Sequence, residues 1–231
     1  MQTTHASAQT DVEALFLAET SRWYEQLPST TWKEVITEAD GADHVAVMVV
    51  DMVRGFATEG ALSSPRVQAI AAPIAAALSV AHELGVEAFY EFCDQHEPEA
   101  REFGAYAPHC VQGSSESELV PELASLPFAA QCRLVGKNSL SAVWAGDWLQ
   151  EAAERYRRFV VVGDCTDLCI LNLAMPLKLY RDQHQLDFEV VVPAALVQTF
   201  DGPGHPGDLL HRLALYYMAS NGVQVVADLT A

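Results

Sequence analysis

Basic residues are scarce: 13 Lys and Arg stand against 31 Asp and Glu in 231 residues, a formal charge of −18. Such a surface repels nucleic-acid phosphates and anionic lipids unless a local basic patch intervenes. The densest basic group, Arg155, Arg157 and Arg158, is too small to be one, so neither nucleic acid nor a membrane is expected as a partner. Long apolar runs are also missing. The longest, Ala71 to Ala81, is broken by Pro73 and Ser79 and falls short of the roughly 18 residues that a membrane span needs. Met1 to Thr10 has neither the basic start nor the apolar stretch of a secretory signal, and the five cysteines form no paired framework. A cytoplasmic protein with reduced thiols is therefore expected. There is no internal repeat, no low-complexity segment and no Gly-x-Ser-x-Gly nucleophile elbow.

Half of the residues are hydrophobic and 19% are charged, the balance of a packed globular chain. Asp11–Gln26 and Thr31–Ala39 read as short amphipathic helices, with a helix cap within Ser29 to Thr31. These place a helical N-terminal extension at residues 1–43, ahead of a main domain at 44–231. From His44 onward, strand-length apolar runs alternate with helical segments. The strands are His44–Asp51, Val86–Phe92, Gln131–Gly136, Phe159–Gly163, Phe188–Val192 and Val223–Ala227. The helices between them are Pro73–Leu84, Asp147–Tyr156, Thr166–Leu179 and Asp208–Ala219, with Pro73 in a first turn. Near-continuous Val and Ile in the strands predicts an α/β fold, a three-layer αβα sandwich around a doubly wound, six-stranded parallel sheet of Rossmann-like type.

In such a sheet, chemistry collects beyond the carboxyl ends of the strands. Those ends carry Asp51, then Cys93-Asp94-Gln95-His96, then Lys137, then Gly163-Asp164-Cys165-Thr166-Asp167-Leu168-Cys169. Each has a plain alternative: Asp51 as a turn cap, Lys137 as a solvated strand end, Cys169 as a small buried hydrophobe. Together they offer a nucleophile, a proton carrier and a charge balancer. Cys169 falls in the first turn of the helix beginning near Thr166, where the helix terminus is expected to lower a thiol's pKa. Asp94, His96 and, thirteen positions on, His109 form either an ordinary loop or a ligand set for a divalent metal; by chance alone the loop is the commoner case.

Three segments, Val49-Val50-Asp51-Met52 with Phe56, Gly136-Lys137-Asn138-Ser139, and Gly163 through Cys169, resemble the signatures of the isochorismatase-like cysteine hydrolases. Asp94-x-His96 followed by Pro108-His109-Cys110 resembles the nicotinamidase branch. The resemblance runs from about His44 to the end and implies the isochorismatase-like hydrolase fold. It implies a catalytic triad of Asp51, Lys137 and Cys169, with the backbone N–H groups of Cys165 and Cys169 as the oxyanion hole and a cis peptide at Asp164–Cys165. It also implies a metal on Asp94, His96 and His109, zinc first with manganese and iron as alternatives. Phe56 and Tyr106 would lie against the substrate ring.

The implied reaction is hydrolysis of nicotinamide to nicotinate and ammonia through a cysteine thioester, with a small amide as the partner molecule and a homo-oligomer as an option. Another small amide, a carbamoyl compound or isochorismate is the alternative substrate, and a silent binding subunit is the alternative class. Two departures stand out. Asp164 takes a position that is commonly apolar, as an extra acid near the site or facing solvent. Glu97, Glu99 and Glu102 follow where a further histidine is often found. His184, His205 and His211 lie far along the chain from all of these motifs, and His205 reads as a loop residue.

Overall fold

The computed structural model describes residues 3–231, with side chains described from residue 11 on. The N-terminal part contains α1 (Thr3–Glu25), β1 (Thr30–Thr31) and α2 (Trp32–Glu38). Then come β2 (Val45–Val50), α3 (Arg54–Ala57), α4 (Pro65–Glu83), β3 (Ala88–Asp94), α5 (Pro121–Ala124), β4 (Arg133–Lys137), α6 (Trp148–Arg155) and β5 (Arg158–Asp164). The chain closes with α7 (Leu171–His184), β6 (Glu189–Pro193), β7 (Val197–Gln198), α8 (Gly207–Ser220), β8 (Gln224–Val226) and β9 (Leu229–Thr230).

All six expected strands are present and every pairing in the main sheet is parallel, in the order β4-β3-β2-β5-β6-β8. The pattern of β2 shows why. All six of its residues are buried, and they divide by alternation. Val45, Val47 and Val49 join the core under α2, α4 and α5, whereas Ala46, Met48 and Val50 join the core under α6, α7 and α8. A strand that is apolar on both faces belongs in the middle layer of three.

The strand order reverses between β2 and β5, which opens a crevice at their carboxyl ends. Gly163 permits the close approach there: it pairs with Val50, has φ +116°, and an added Cβ would lie 2.0 Å from the Val50 carbonyl oxygen. Gly163→Ala is accordingly expected to cost at least about 3 kcal/mol through overlap and a left-handed φ. That corresponds to a fall of roughly 6–12 °C in thermal midpoint. Calorimetry showing an unchanged midpoint would mean that β2 and β5 are not this close.

Several elements differ from expectation. α4 begins at Pro65, not Pro73, because Ser64 caps it by accepting the Arg66 N–H at 3.3 Å and Pro65 takes the first turn. Pro73 is interior and leaves the Ala69 carbonyl without its usual donor. That cost, about 3 kcal/mol, is offset by burial of Val67, Ile70, Ala71, Ile74, Ala77, Leu78 and Ala81 along one helical face. The sheet gains a seventh strand, the two-residue β7 beside β5, and β1 pairs with β9 in a separate small sheet. Strands this short have no periodicity to read. The segment Thr166–Ile170 is a π-helical turn ahead of α7, with the Ile170 N–H bonded to the Cys165 carbonyl at 3.1 Å.

The N-terminal part packs closely on the remainder. Thr31 caps α2 through a capping box with Glu34, Trp32 and Val35 enter the core, and Phe16 and Trp23 meet Tyr216 of α8 edge-on. Residues 1–2 of the expected extension lie outside the described residues. Among the described residues, no helix is long and apolar enough to cross a membrane.

Candidate active site

Three strand ends bring three charges into contact. Lys137, the last residue of β4, places Nζ 2.7 Å from Asp51 Oδ2 and 2.5 Å from Asp94 Oδ1, and all three side chains are buried. Asp51 follows β2 at φ +54°, a left-handed conformation that a non-glycine residue rarely adopts, and its Oδ1 accepts the Asp94 N–H at 2.8 Å. Cys169 Sγ is 3.7 Å from Lys137 Nζ, and oxygens of Asp51 and Asp94 lie within 4.8 Å of the sulfur and of each other.

Burial, then the neighbouring Asp94, pushes Asp51 up to about 6, against the pull of Lys137. Burial acts the same way on Asp94, but Lys137 and the two imidazoles outweigh it and hold that carboxyl well below the usual range. For Lys137, burial favours loss of the proton, yet Asp51, Cys169 and Asp94 together raise it well above an ordinary lysine. Burial pushes the Cys169 thiol well above its ordinary value, ahead of the lowering by Lys137. The expected lowering by the helix terminus is thus reversed. Cys169 is only 5% exposed, and desolvation of a thiolate outweighs the few tenths to one kcal/mol that a helix end supplies. The raised thiol favours the proton on sulfur, with the Asp51 carboxyl beside it as the acceptor.

A cavity of about 440 Å³ opens in front of the thiol, lined by Cys169, Cys165 and Asp164 on one side and Asp94, His109 and Glu102 on another. This volume is within the range of small-molecule sites. Phe56 and Tyr106 both line it, with ring centroids 5.3 and 6.3 Å from that of His109. Asp51 and Lys137 lie behind the thiol, outside the lining. The Asp164–Cys165 peptide is cis. Asp164 itself is 1% exposed, so it does not face solvent, and burial followed by Asp51 pushes its carboxyl well above the usual carboxylate range.

Asp94 joins this group to a second one. Its Oδ2 lies 3.3 Å from His96 Nε2 and 3.6 Å from His109 Nε2, and the two Nε2 atoms are 3.1 Å apart. His96 Nδ1 is 3.0 Å from Asn138 Oδ1, which also accepts the Glu97 N–H, and His109 Nδ1 is 2.8 Å from the Ala107 carbonyl. When both rings are neutral and donate through Nδ1, their Nε2 lone pairs face each other. Two lone pairs beside a carboxylate oxygen with no hydrogen-bond donor repel one another unless a cation lies between them. Glu102 completes the set, its Oε1 3.8 Å from His96 Nε2 and likewise without a donor. The chemistry of the four donors, two imidazoles and two carboxylates within 4.8 Å of one another, fits a divalent metal.

Glu102 was not singled out as a ligand in the sequence; a turn of 3₁₀ helix at Arg101–Gly104 brings it in. Two histidines remote in sequence also reach the Cys165–Cys169 segment. His211 Nδ1 is 2.9 Å from Thr166 Oγ1, with Tyr24 of α1 3.3 Å from its other nitrogen, and His205 Nε2 is 2.8 Å from Asp167 Oδ2. Phe200 and Arg66, also without an earlier signal, line the cavity.

The chain is similar in sequence and fold to known proteins. The chain is 28% identical to nicotinamidase 1 of Arabidopsis thaliana over 233 residues, which cover 89% of this chain and 93% of that protein. It superimposes on the pyrazinamidase/nicotinamidase of Streptococcus mutans with a TM-score of 0.66 at 20% identity, covering 79% of this chain and 99% of the other. The pyrazinamidase of Pyrococcus horikoshii, solved in complex with zinc, gives a TM-score of 0.64 at 24% identity, covering 79% and 98%. At these identities the two structures establish a shared fold. All three relatives bear the names of amidases, the class of hydrolase expected from the motifs. The model of the isochorismatase domain matches residues 45–228, well over half of the chain, and the protein belongs to the isochorismatase domain family.

Proposed function

We propose that the protein is a nicotinamidase-like amidohydrolase that converts nicotinamide, or a close ring carboxamide, to the acid and ammonia. The observation that carries this reading is Asp94. One of its oxygens touches the Lys137 of the thiol group and the other faces the paired imidazoles, so nucleophile and candidate metal site share one cavity wall.

In this reading Cys169 Sγ–H gives its proton to Asp51 as sulfur bonds to the amide carbon. Lys137 keeps Asp51 ionised until that moment and balances the charge afterwards. The backbone N–H groups of Cys165 and Cys169 receive the oxyanion, each such donor being worth about 3 kcal/mol. Asp51 passes the proton to the departing nitrogen, ammonia leaves, and a thioester remains. Water then attacks the thioester with Asp51 as base, and the sulfur leaves and takes its proton back. Phe56 and Tyr106 flank the ring. Asp94, His96, His109 and Glu102 would hold the metal, zinc first; when bound, such an ion supplies an open position for a ring nitrogen.

The test is ammonia release from a panel of amides and carbamoyl compounds, with metal content measured on the same sample. Release from nicotinamide supports the reading, and release only from a carbamoyl substrate overturns it. The metal gives a further prediction. About one divalent ion per chain is expected, and at free metal near a thousand times Kd it adds about 4 kcal/mol to stability. Chelation should then lower the thermal midpoint by roughly 8–16 °C, and His109→Ala should abolish both the ion and the chelator effect. A midpoint indifferent to chelator would contradict the ligand assignment.

A further inference from the structure

Phe200 and Asp201 form the cavity wall that follows β7, and the loop that carries them is fastened at two points. At one, Arg66 donates through Nε to the Thr199 carbonyl at 2.9 Å and through its terminal nitrogens to Gln198, Asp201 and Asp208. The other is His205. Its ring lies flat on Phe200, with centroids 3.8 Å apart and planes 8° from parallel. Its Nδ1 is 3.0 Å from the Phe200 carbonyl oxygen and its Nε2 is 2.8 Å from Asp167 Oδ2. A tight turn brings the ring back over Phe200, with Gly202 and His205 bonded to each other in both directions at 3.0 and 2.9 Å.

Both ring nitrogens face acceptors, a carbonyl and a carboxylate. The ring is thus held at both nitrogens, between Asp167 and the carbonyl of the residue it stacks on. Asp167 is two residues from Cys169 and two from Cys165, within the π-helical turn that presents the nucleophile. His205 thereby connects the cavity wall to the segment that bears the thiol. Phe200 has one ring face occupied by the imidazole.

We propose that His205 is a positioning residue, fixing Phe200 as a preformed wall for a flat ring substrate at a set distance from Cys169. It acts through Asp167 and Phe200, not on the reacting atoms. The contribution belongs to binding and is made equally to bound substrate and transition state, so its loss raises KM and leaves kcat in place. This rests on the amidase reading for its kinetic readout and is independent of it for its structural one.

The experiment compares wild type with His205→Ala and His205→Arg. Arginine has a planar head that stacks on aromatic rings and donates to carboxylates. Hydrogen exchange on the substrate-free protein reads the fastening directly. In His205→Ala, amides of residues 199–207 should exchange about ten-fold faster or more, while those of β2, β3 and β5 are unchanged; His205→Arg should recover most of the protection. Kinetics with nicotinamide should show KM raised about ten-fold in His205→Ala with kcat within about three-fold, and KM restored within about three-fold by arginine. Unchanged exchange at 199–207 overturns the proposal, as does faster exchange with KM unaltered, or a loss confined to kcat. If wild type hydrolyses no amide, the amidase reading fails, and the exchange comparison still decides whether His205 pins the wall.

Discussion

Cys169→Ala is expected to reduce ammonia release from nicotinamide by roughly 10⁴–10⁶-fold, the loss seen when a covalent nucleophile is removed from a concerted set. No other thiol can replace it. Cys110 is buried, and desolvation pushes it well above an ordinary thiol; Cys93 is raised in the same way. Cys165 borders the cavity, yet burial and then the adjacent Asp164 raise it too, and its sulfur points 3.6 Å from Asp164 Oδ1 and has no lysine beside it. Only Cys169 has both an ammonium at 3.7 Å and an ionised carboxylate within reach. The substitution removes one sulfur from a nearly buried position and should leave the fold intact, as circular dichroism would show. Turnover retained within ten-fold would remove Cys169 from the mechanism.

The second large effect is expected at Lys137, in stability as well as activity. Its ammonium lies between two buried carboxylates at 2.7 and 2.5 Å, and Lys137→Ala leaves both without that partner. Breaking a buried ion pair from one side costs about 3–5 kcal/mol, because the remaining charge stays desolvated. For a domain of this size that is a fall of roughly 6–20 °C in thermal midpoint. Activity falls for a separate reason. Lys137 pulls Asp51 down, so without it the Asp51 carboxyl rises further and holds a proton at neutral pH, leaving no base for the thiol. A loss of about 10²–10⁴-fold in turnover follows. A variant with an unchanged midpoint and near-normal turnover would show that the three charges do not act together.

The fold was legible wherever burial imposed a period. Val45 to Val50 alternates between two cores and could be read directly as a central strand, and the amphipathic face of α4 from Val67 to Ala81 has helical spacing. The start of α4 differs from the sequence expectation because Pro73 looks like a first-turn proline, while the real signal is Ser64 with Pro65. Of the candidate site, the strand-end residues could be read because a parallel sheet has one chemical edge. The structure gathers Asp51, Asp94, Lys137 and Cys169 there and sets His96 and His109 beside them. Glu102, His205 and His211 were out of reach for a common reason: each arrives through a loop or helix whose path depends on tertiary packing. The sign of the Cys169 shift differs from expectation because a helix end is visible in sequence and the depth of burial is not.

The central claim is a thioester on Cys169, and the most direct measurement is the mass of the protein after rapid acid quench during turnover of nicotinamide. A single nicotinoyl group on the peptide that carries Cys169, absent from Cys169→Ala, is the predicted result. Steady turnover with no adduct, or an adduct mapped to Cys165 or Cys110, would contradict it.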